Sequence, residues 1–225
     1  MFDLDNTLLN YSKTEFSSME RTVHQAGLSA ASTFEWDLFW YTYSQKNKHI
    51  WEDRHQSGYA IEQILEQSFF QTLGELDLDA SLSHSLAKIY WDIFCHTCEL
   101  EEDVNELLSS LYGTYKLAII TNGISEGQRK RLAAGQIDHF FNAIIVSDEV
   151  GCCKPDKLIF GIAMDKLQVT PSDVLFVGDS IRDDYAGAMN AELDFCLINR
   201  KQIRLPQQIQ PTYFIHSLKE LLHVL

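Results

Sequence analysis

Proline is absent from the first 154 residues of this sequence; all four prolines lie in its last third. A stretch without proline keeps every backbone N–H and can form long unbroken helices. Basic residues are also few: 18 Lys plus Arg stand against 32 acids, a net charge of −14. A surface of that sign repels nucleic acid and anionic membranes at long range, so neither a nucleic acid polymer nor a membrane is an expected partner. It repels phosphorylated molecules too, so any anion site needs its own local positive charge. Long apolar runs are missing: Leu117-Ala118-Ile119-Ile120 is typical of the longest and falls far short of a membrane span. No basic region followed by an apolar stretch opens the sequence, so no secretory signal is expected. The five cysteines are an odd number, and Cys95-His96-Thr97-Cys98 has the spacing of only half a zinc site. The expectation is free thiols in a reducing cytoplasm, with Cys95 and Cys98 as a buried helical pair.

What is present changes character near residue 100. With 225 residues and a hydrophobic fraction of 45%, the chain can build one large domain or a core with a smaller insert. From residue 116 onward, short apolar runs alternate with helix-length stretches; the runs cover 116–120, 143–146, 174–177, 195–198 and, more weakly, 213–215. Short and continuously apolar, they suit parallel strands buried on both faces. Over 155–167, Leu158, Ile159, Ile162, Ala163 and Leu167 are expected on one helical face. Strand and helix in alternation predict an α/β fold, a doubly wound parallel sheet with right-handed crossovers. Residues 12–100 differ: they hold all four tryptophans (Trp36, Trp40, Trp51 and Trp91), and Ile61, Ile64, Leu65, Phe69 and Leu73 follow helical spacing. The expected organisation is a core of residues 1–11 and 101–225 with an all-helical insert at 12–100.

In an open parallel sheet, ligands bind outside the carboxyl ends of the strands. Thr121-Asn122-Gly123 follows the run at 116–120, Lys154-Pro155 ends the loop after 143–146, and Gly178-Asp179-Ser180 follows 174–177, with Asp183 and Asp184 close behind. If Phe2 belongs to a first strand, Asp3 and Asp5 sit at the same rim. Carboxylates crowded in this way repel one another unless a cation joins them, and all-oxygen ligands favour magnesium. A lysine and hydroxyl or backbone donors beside such a cation describe a phosphoryl site. One carboxylate can attack phosphorus, and a second, two residues on, can protonate the leaving oxygen and later activate water.

Together, "DLDNT" (3–7), "ITNG" (120–123), "KP" (154–155) and "GDSIRDD" (178–184) resemble the four ordered motifs of the haloacid dehalogenase (HAD) superfamily. The helical insert after the first motif resembles its C1-type cap. The resemblance implies a magnesium-dependent phosphatase with Asp3 as nucleophile and Asp5 as general acid/base. It implies magnesium held by the Asp3 carboxylate, the Asp5 backbone carbonyl and Asp179. Thr121, Asn122 and Gly123 are then expected to hold the transferring phosphoryl group, Lys154 to offset its charge, and Asp184 to orient Lys154 or a metal-bound water. "ITNGISEGQRKRL", "SDEVGCCKPDKLIF", "IWEDRHQSGYAI" and "PTYFIHSLKELL" are further similar to the YjjG-type pyrimidine 5′-nucleotidases of this superfamily, which implies nucleoside monophosphates as substrates. Other readings stay open at this point: a phosphosugar or phosphoglycolate-type phosphatase, a metal-free 2-haloacid dehalogenase, against which Asp5 and Asp179 argue, or a catalytically weak phosphate-binding or interaction protein on the same scaffold.

Within the insert, Trp36, Phe39, Trp40 and Tyr43 form a stripe suited to packing, whereas Trp51, Arg54, His55 and Gly58 are candidates to face a substrate's base or sugar. Asn10 and Tyr11 are expected to line the substrate entrance or build the hinge. Asp3 has only two residues ahead of it, where the other strands offer four or five. Such a stub in the middle of a sheet is expected to leave neighbouring backbone groups unpaired at about 1–3 kcal/mol each, so the natural chain is expected to start upstream of Met1. The expected protein is a cytoplasmic monomer or homodimer acting on a small phosphorylated metabolite.

Overall fold

The continuously apolar runs form parallel strands in the computed structural model, which describes residues 1–54, 58–200 and 202–225. They are β1 (Ala118–Thr121), β2 (Ala143–Val146), β3 (Leu175–Gly178), β4 (Asp194–Ile198) and β5 (Tyr213–Ile215). β1 pairs with β2, with Ala118 opposite Ala143, while β3, β4 and β5 pair in that order. Phe2 joins the two groups, bridging Ile119 on one side and Val177 on the other, again in parallel. The sheet order is therefore β2, β1, Phe2, β3, β4, β5, a doubly wound α/β arrangement. β1 starts at Ala118 and not at residue 116, because the Leu117 N–H is taken by Asn142 Oδ1 at 2.9 Å and Lys116 Nζ reaches Leu167 O at 2.7 Å.

Alternation along the strands sends successive side chains to opposite faces and so builds two cores. Ile119, Val177, Cys196 and Ile198 pack with Leu4, Leu8, Leu107, Leu108 and Leu132 on one face. Ala118, Ile120, Phe176, Phe195 and Leu197 pack with Ile159, Phe160 and Ala163 on the other. The helix expected over 155–167 spans Lys157–Leu167, and its buried face is Ile159, Phe160, Ala163 and Leu167. Leu158 is 60% exposed, contrary to expectation: the helix starts at Lys157 and is turned so that the larger Phe160 fills the sheet face.

The first segment is better paired than its length suggests. Phe2 N–H donates to Ala118 O (2.8 Å), Ile120 N–H to Phe2 O (2.9 Å), Asp3 N–H to Val177 O (2.8 Å) and Val177 N–H to Met1 O (2.9 Å). The Met1 amine donates to Leu175 O at 2.8 Å, and burial pushes its pKa down to about 5. The unpaired backbone expected beside the stub is thus not found at Ala118, Ile120, Leu175 or Val177.

Two units divide the chain: Met1–Ser12 with Cys98–Leu225, which carries the sheet, and Lys13–Thr97. The second unit is helical, with helices Trp36–Glu52, Ile61–Glu75 and Ser83–Cys95 following the one that begins at Tyr11. Phe39, Tyr43, Phe69, Leu73, Leu86 and Tyr90 form its interior, with the Tyr43 and Phe69 rings 4.8 Å apart. Phe16 meets Trp36 and Trp40 edge-on at 5.3 and 5.4 Å, so the aromatic stripe serves packing. The buried hydroxyls of Thr22, Ser68 and Thr72 each bond the carbonyl four residues earlier at 2.7 Å. Cys95 closes its helix and is buried, but Cys98 lies past the helix end and is only half-buried, so the two are not a buried helical pair. Among the described residues, no helix is long and apolar enough to cross a membrane.

Candidate active site at the strand ends

The strands on either side of Phe2 both end in polar chain: Thr121 closes β1, and Asp179 follows Gly178 at the end of β3. Asp3 follows Phe2 between them, so parallel pairing brings Asp3, Thr121 and Asp179 to one rim. Lys154 arrives from the loop after β2. Its Nζ bonds Asp3 Oδ1 at 2.5 Å and Asp184 Oδ1 at 2.7 Å, and all three residues are buried. Asn122 fixes the lysine's backbone: its Nδ2 donates to Lys154 O and its Oδ1 accepts from Lys154 N–H, both at 2.8 Å. Asp184 lies on a π-helical turn, Ile181–Tyr185, that folds back on the end of β3. Its Oδ2 accepts from the backbone N–H of Asp179 (3.1 Å) and Ser180 (3.0 Å). Gly178 makes this approach feasible, since a Cβ there would overlap the Asp184 carboxylate.

Charge is unbalanced at this rim. Burial pushes Asp3 well above the usual carboxylate range; Lys154 pulls it down, while Asp184 and Asp179 push it further up. Burial and then Asp184 push Asp179 up to about 7, against the opposite pull of Lys154 and Arg200. Burial works against the charge of Lys154 as well, but Asp184 and Asp3 outweigh it and hold the ammonium above the usual lysine value. One lysine cannot neutralise three acids. Carboxylate oxygens of Asp3, Asp179 and Asp184 lie within 4.8 Å of one another. An all-oxygen set short of positive charge is the chemistry of a hard divalent cation site, so these residues fit one.

Asp5 faces a different set of partners. Its Oδ1 accepts from Arg131 Nη1 and its Oδ2 from Gln128 Nε2, both at 2.7 Å. Gln128 Nε2 also donates to Thr121 Oγ1 at 2.8 Å, and Gln128 Oε1 accepts from Arg131 Nη1 at 3.0 Å. Gly123 admits the glutamine, because a Cβ there would overlap its amide. Sequence reasoning singled out neither Gln128 nor Arg131. Their helix, Ser125–Ala134, is largely polar and reads as surface; the available signal was their i, i+3 spacing just after Thr121-Asn122-Gly123. Arg200 was missed as well: its Nη1 donates to Asn6 O (2.6 Å) and its Nη2 to Thr7 O (2.8 Å), which fixes the loop after Asp5.

The remaining expected residues lie elsewhere. Asn10 N–H donates to Glu99 O at 2.8 Å, where Leu9 bridges Leu100 and the outgoing and returning chain segments pair. Trp51 and Arg54 belong to the second unit; the guanidinium lies 4.1 Å from the indole centroid, and Arg54 Nη1 donates to Trp51 O at 3.0 Å. His55 lies outside the described residues.

Known proteins resemble this chain along most of its length. The model of the haloacid dehalogenase-like hydrolase family matches residues 1–198. The chain is 31% identical over 222 residues to the pyrimidine 5′-nucleotidase YjjG of Escherichia coli, covering 98% of this chain and 94% of that protein. It is 27% identical over 227 residues to the pyrimidine 5′-nucleotidase PynA of Streptococcus pneumoniae, covering 100% of this chain and 93% of that one. Among solved structures, the magnesium-bound HAD-hydrolase YfnB of Bacillus subtilis matches with a TM-score of 0.82 at 27% identity, over 99% of this chain and 96% of that chain.

Proposed function

Because the chain belongs to the haloacid dehalogenase-like hydrolase family, we propose that it is a magnesium-dependent phosphatase that cleaves pyrimidine nucleoside 5′-monophosphates through an aspartyl-phosphate on Asp3. The observation that carries the chemistry is Lys154 Nζ bonded to both Asp3 and Asp184 beside Asp179. A 2-haloacid dehalogenase needs no metal and no acid two residues after its nucleophile, so Asp5 and Asp179 argue against that reading. The substrate class rests on the two nucleotidase relatives that match along the whole chain.

In this reading, a carboxylate oxygen of Asp3 attacks phosphorus, and the bond from phosphorus to the nucleoside oxygen breaks. Asp5 gives its proton to that oxygen. Water then attacks the phosphoryl group, Asp5 takes the water's proton, and the Asp3–phosphorus bond breaks to release phosphate. Lys154 balances the negative charge at the phosphoryl oxygens, and Asp184 keeps it aimed there. Thr121 Oγ and the backbone N–H groups of Asn122 and Gly123 hold the same oxygens. The Asp3 carboxylate, the Asp5 backbone carbonyl and Asp179 would hold magnesium, which supplies the positive charge that the rim lacks.

Phosphate release with magnesium across a panel of nucleoside monophosphates and phosphosugars, with EDTA as control, tests the proposal. Selective, EDTA-sensitive cleavage of UMP, CMP and dTMP is expected. Cleavage confined to phosphosugars would keep the mechanism and reject the substrate, and no cleavage would reject both.

A further inference from the structure

Arginine is seldom fully buried, and a buried charge must be compensated to be tolerated. Arg131 is 0% exposed and Gln128 3%, on a helix whose neighbouring Arg129 and Lys130 point to solvent. The two buried side chains meet the Asp5 carboxylate, more than 120 positions away in sequence. Both oxygens of that carboxylate are engaged, one by each residue, so it cannot turn about its own axis without losing two hydrogen bonds. Arg131 also bonds Gln128 Oε1, which settles which way the amide faces. The two protons of that amide then go to Asp5 and to Thr121 Oγ1. Since Thr121 Oγ1 is the acceptor, its own proton is left for a phosphoryl oxygen.

We propose that Arg131 and Gln128 are positioning residues that fix the Asp5 carboxylate and tie it to Thr121, so that the proton donor and the phosphoryl-binding hydroxyl are set as one unit. The assignment rests on the phosphatase reading above and adds to it the residues that aim its general acid. It has a specific kinetic consequence. When Asp3 attacks, the proton from Asp5 matters most for a leaving oxygen that is strongly basic. A 4-nitrophenolate departs without needing a proton, whereas a phenolate benefits from one.

The experiment compares kcat/KM for phenyl phosphate and 4-nitrophenyl phosphate, two substrates of similar size, in the wild-type enzyme and in Arg131→Met, Gln128→Met and Asp5→Asn. Each of the three variants is expected to lose at least about tenfold more on phenyl phosphate than on 4-nitrophenyl phosphate. Adding Arg131→Met to Asp5→Asn is expected to leave the ratio of the two substrates where Asp5→Asn put it. Equal losses on both substrates would mean a merely structural role and overturn the assignment, as would a further selective loss in the Asp5→Asn background. Should Arg131→Met fail to fold, Gln128→Met decides, because it removes only a neutral side chain. A wild-type enzyme that releases phosphate from neither aryl ester nor any ester of the nucleotide and phosphosugar panel would bring down the phosphatase reading and this assignment together. An active wild type with flat losses brings down the assignment alone.

Discussion

Thr22, Ser68 and Thr72 in the second unit and Asp3, Lys154 and Asp184 in the first are all buried polar residues, yet their hydrogen bonds span very different lengths of chain. The three hydroxyls bond carbonyls four residues back on their own helices, and only Ser68 Oγ also reaches another helix, at Asn47 Oδ1 3.2 Å away. Lys154 reaches across 151 positions to Asp3 and across 30 to Asp184. A hydroxyl that bonds its own helix is satisfied wherever that helix forms and asks nothing of the fold. The carboxylates and the lysine are satisfied only when three separate segments meet, around Asp3, Lys154 and Asp179–Asp184, and even then the acids outnumber the base. The Thr22 and Thr72 hydroxyls are accommodated locally, whereas the charges at the strand ends are an electrostatic load that the fold has to carry.

The most severe way to probe this contrast is Asp3→Asn. Turnover is expected to fall by a factor of at least about 10³, with folding retained because Asp184 still pairs with Lys154. Phosphate release and a thermal melt on the same sample check both halves, and a variant that still turned over would remove Asp3 as nucleophile.

A matched pair of isosteric substitutions sharpens the comparison further. Thr121→Val should lower kcat/KM by about 10²-fold, because it removes a donor aimed at the phosphoryl group. Thr72→Val deletes an equally buried hydroxyl from the helical unit and should leave kcat/KM unchanged, at a stability cost of about 1 kcal/mol read by urea unfolding. Similar activity losses in the two variants would erase the distinction.

The smallest expected effect is a pH dependence of magnesium binding. The pKa of Asp179 in the metal-free fold is about 7, against 3.8 ordinarily. Its contribution to the stability of that fold is therefore full below the ordinary value and is lost as pH rises toward 7. Magnesium needs the ionised form, so it competes with a proton below pH 7 and not above. Calorimetric titration should find binding about tenfold weaker at pH 6 than at pH 8, with Asp3 acting in the same direction. An affinity independent of pH would place the ion elsewhere.

Much of this was legible in the sequence. Continuous four-residue apolar runs alternating with helix-length stretches suit strands buried on both faces, and residues such as Thr121 and Asp179 come directly at or after their carboxyl ends. Gln128 and Arg131 stayed hidden because a polar helix is the usual mark of a surface, and only a carboxylate from the far end of the chain accounts for a buried arginine there. Leu158 was misplaced for a smaller reason: a one-position rotation of a helix still leaves an apolar face, and the sheet had room for Phe160. No residue of the helical unit could be singled out as selecting a ligand, since an aromatic side chain that packs and one that selects a ligand look alike in sequence.

Gly123 and Gly178 carry a last consequence. Each stands just beyond or at the end of a strand flanking Asp3, and each has a polar side chain lying where its own Cβ would be, the Gln128 amide in one case and the Asp184 carboxylate in the other. The tolerance of this rim to mutation is therefore set by volume as much as by charge. A single methyl group, silent over most of a protein's surface, would at either position evict a side chain that neither glycine appears in sequence to be guarding.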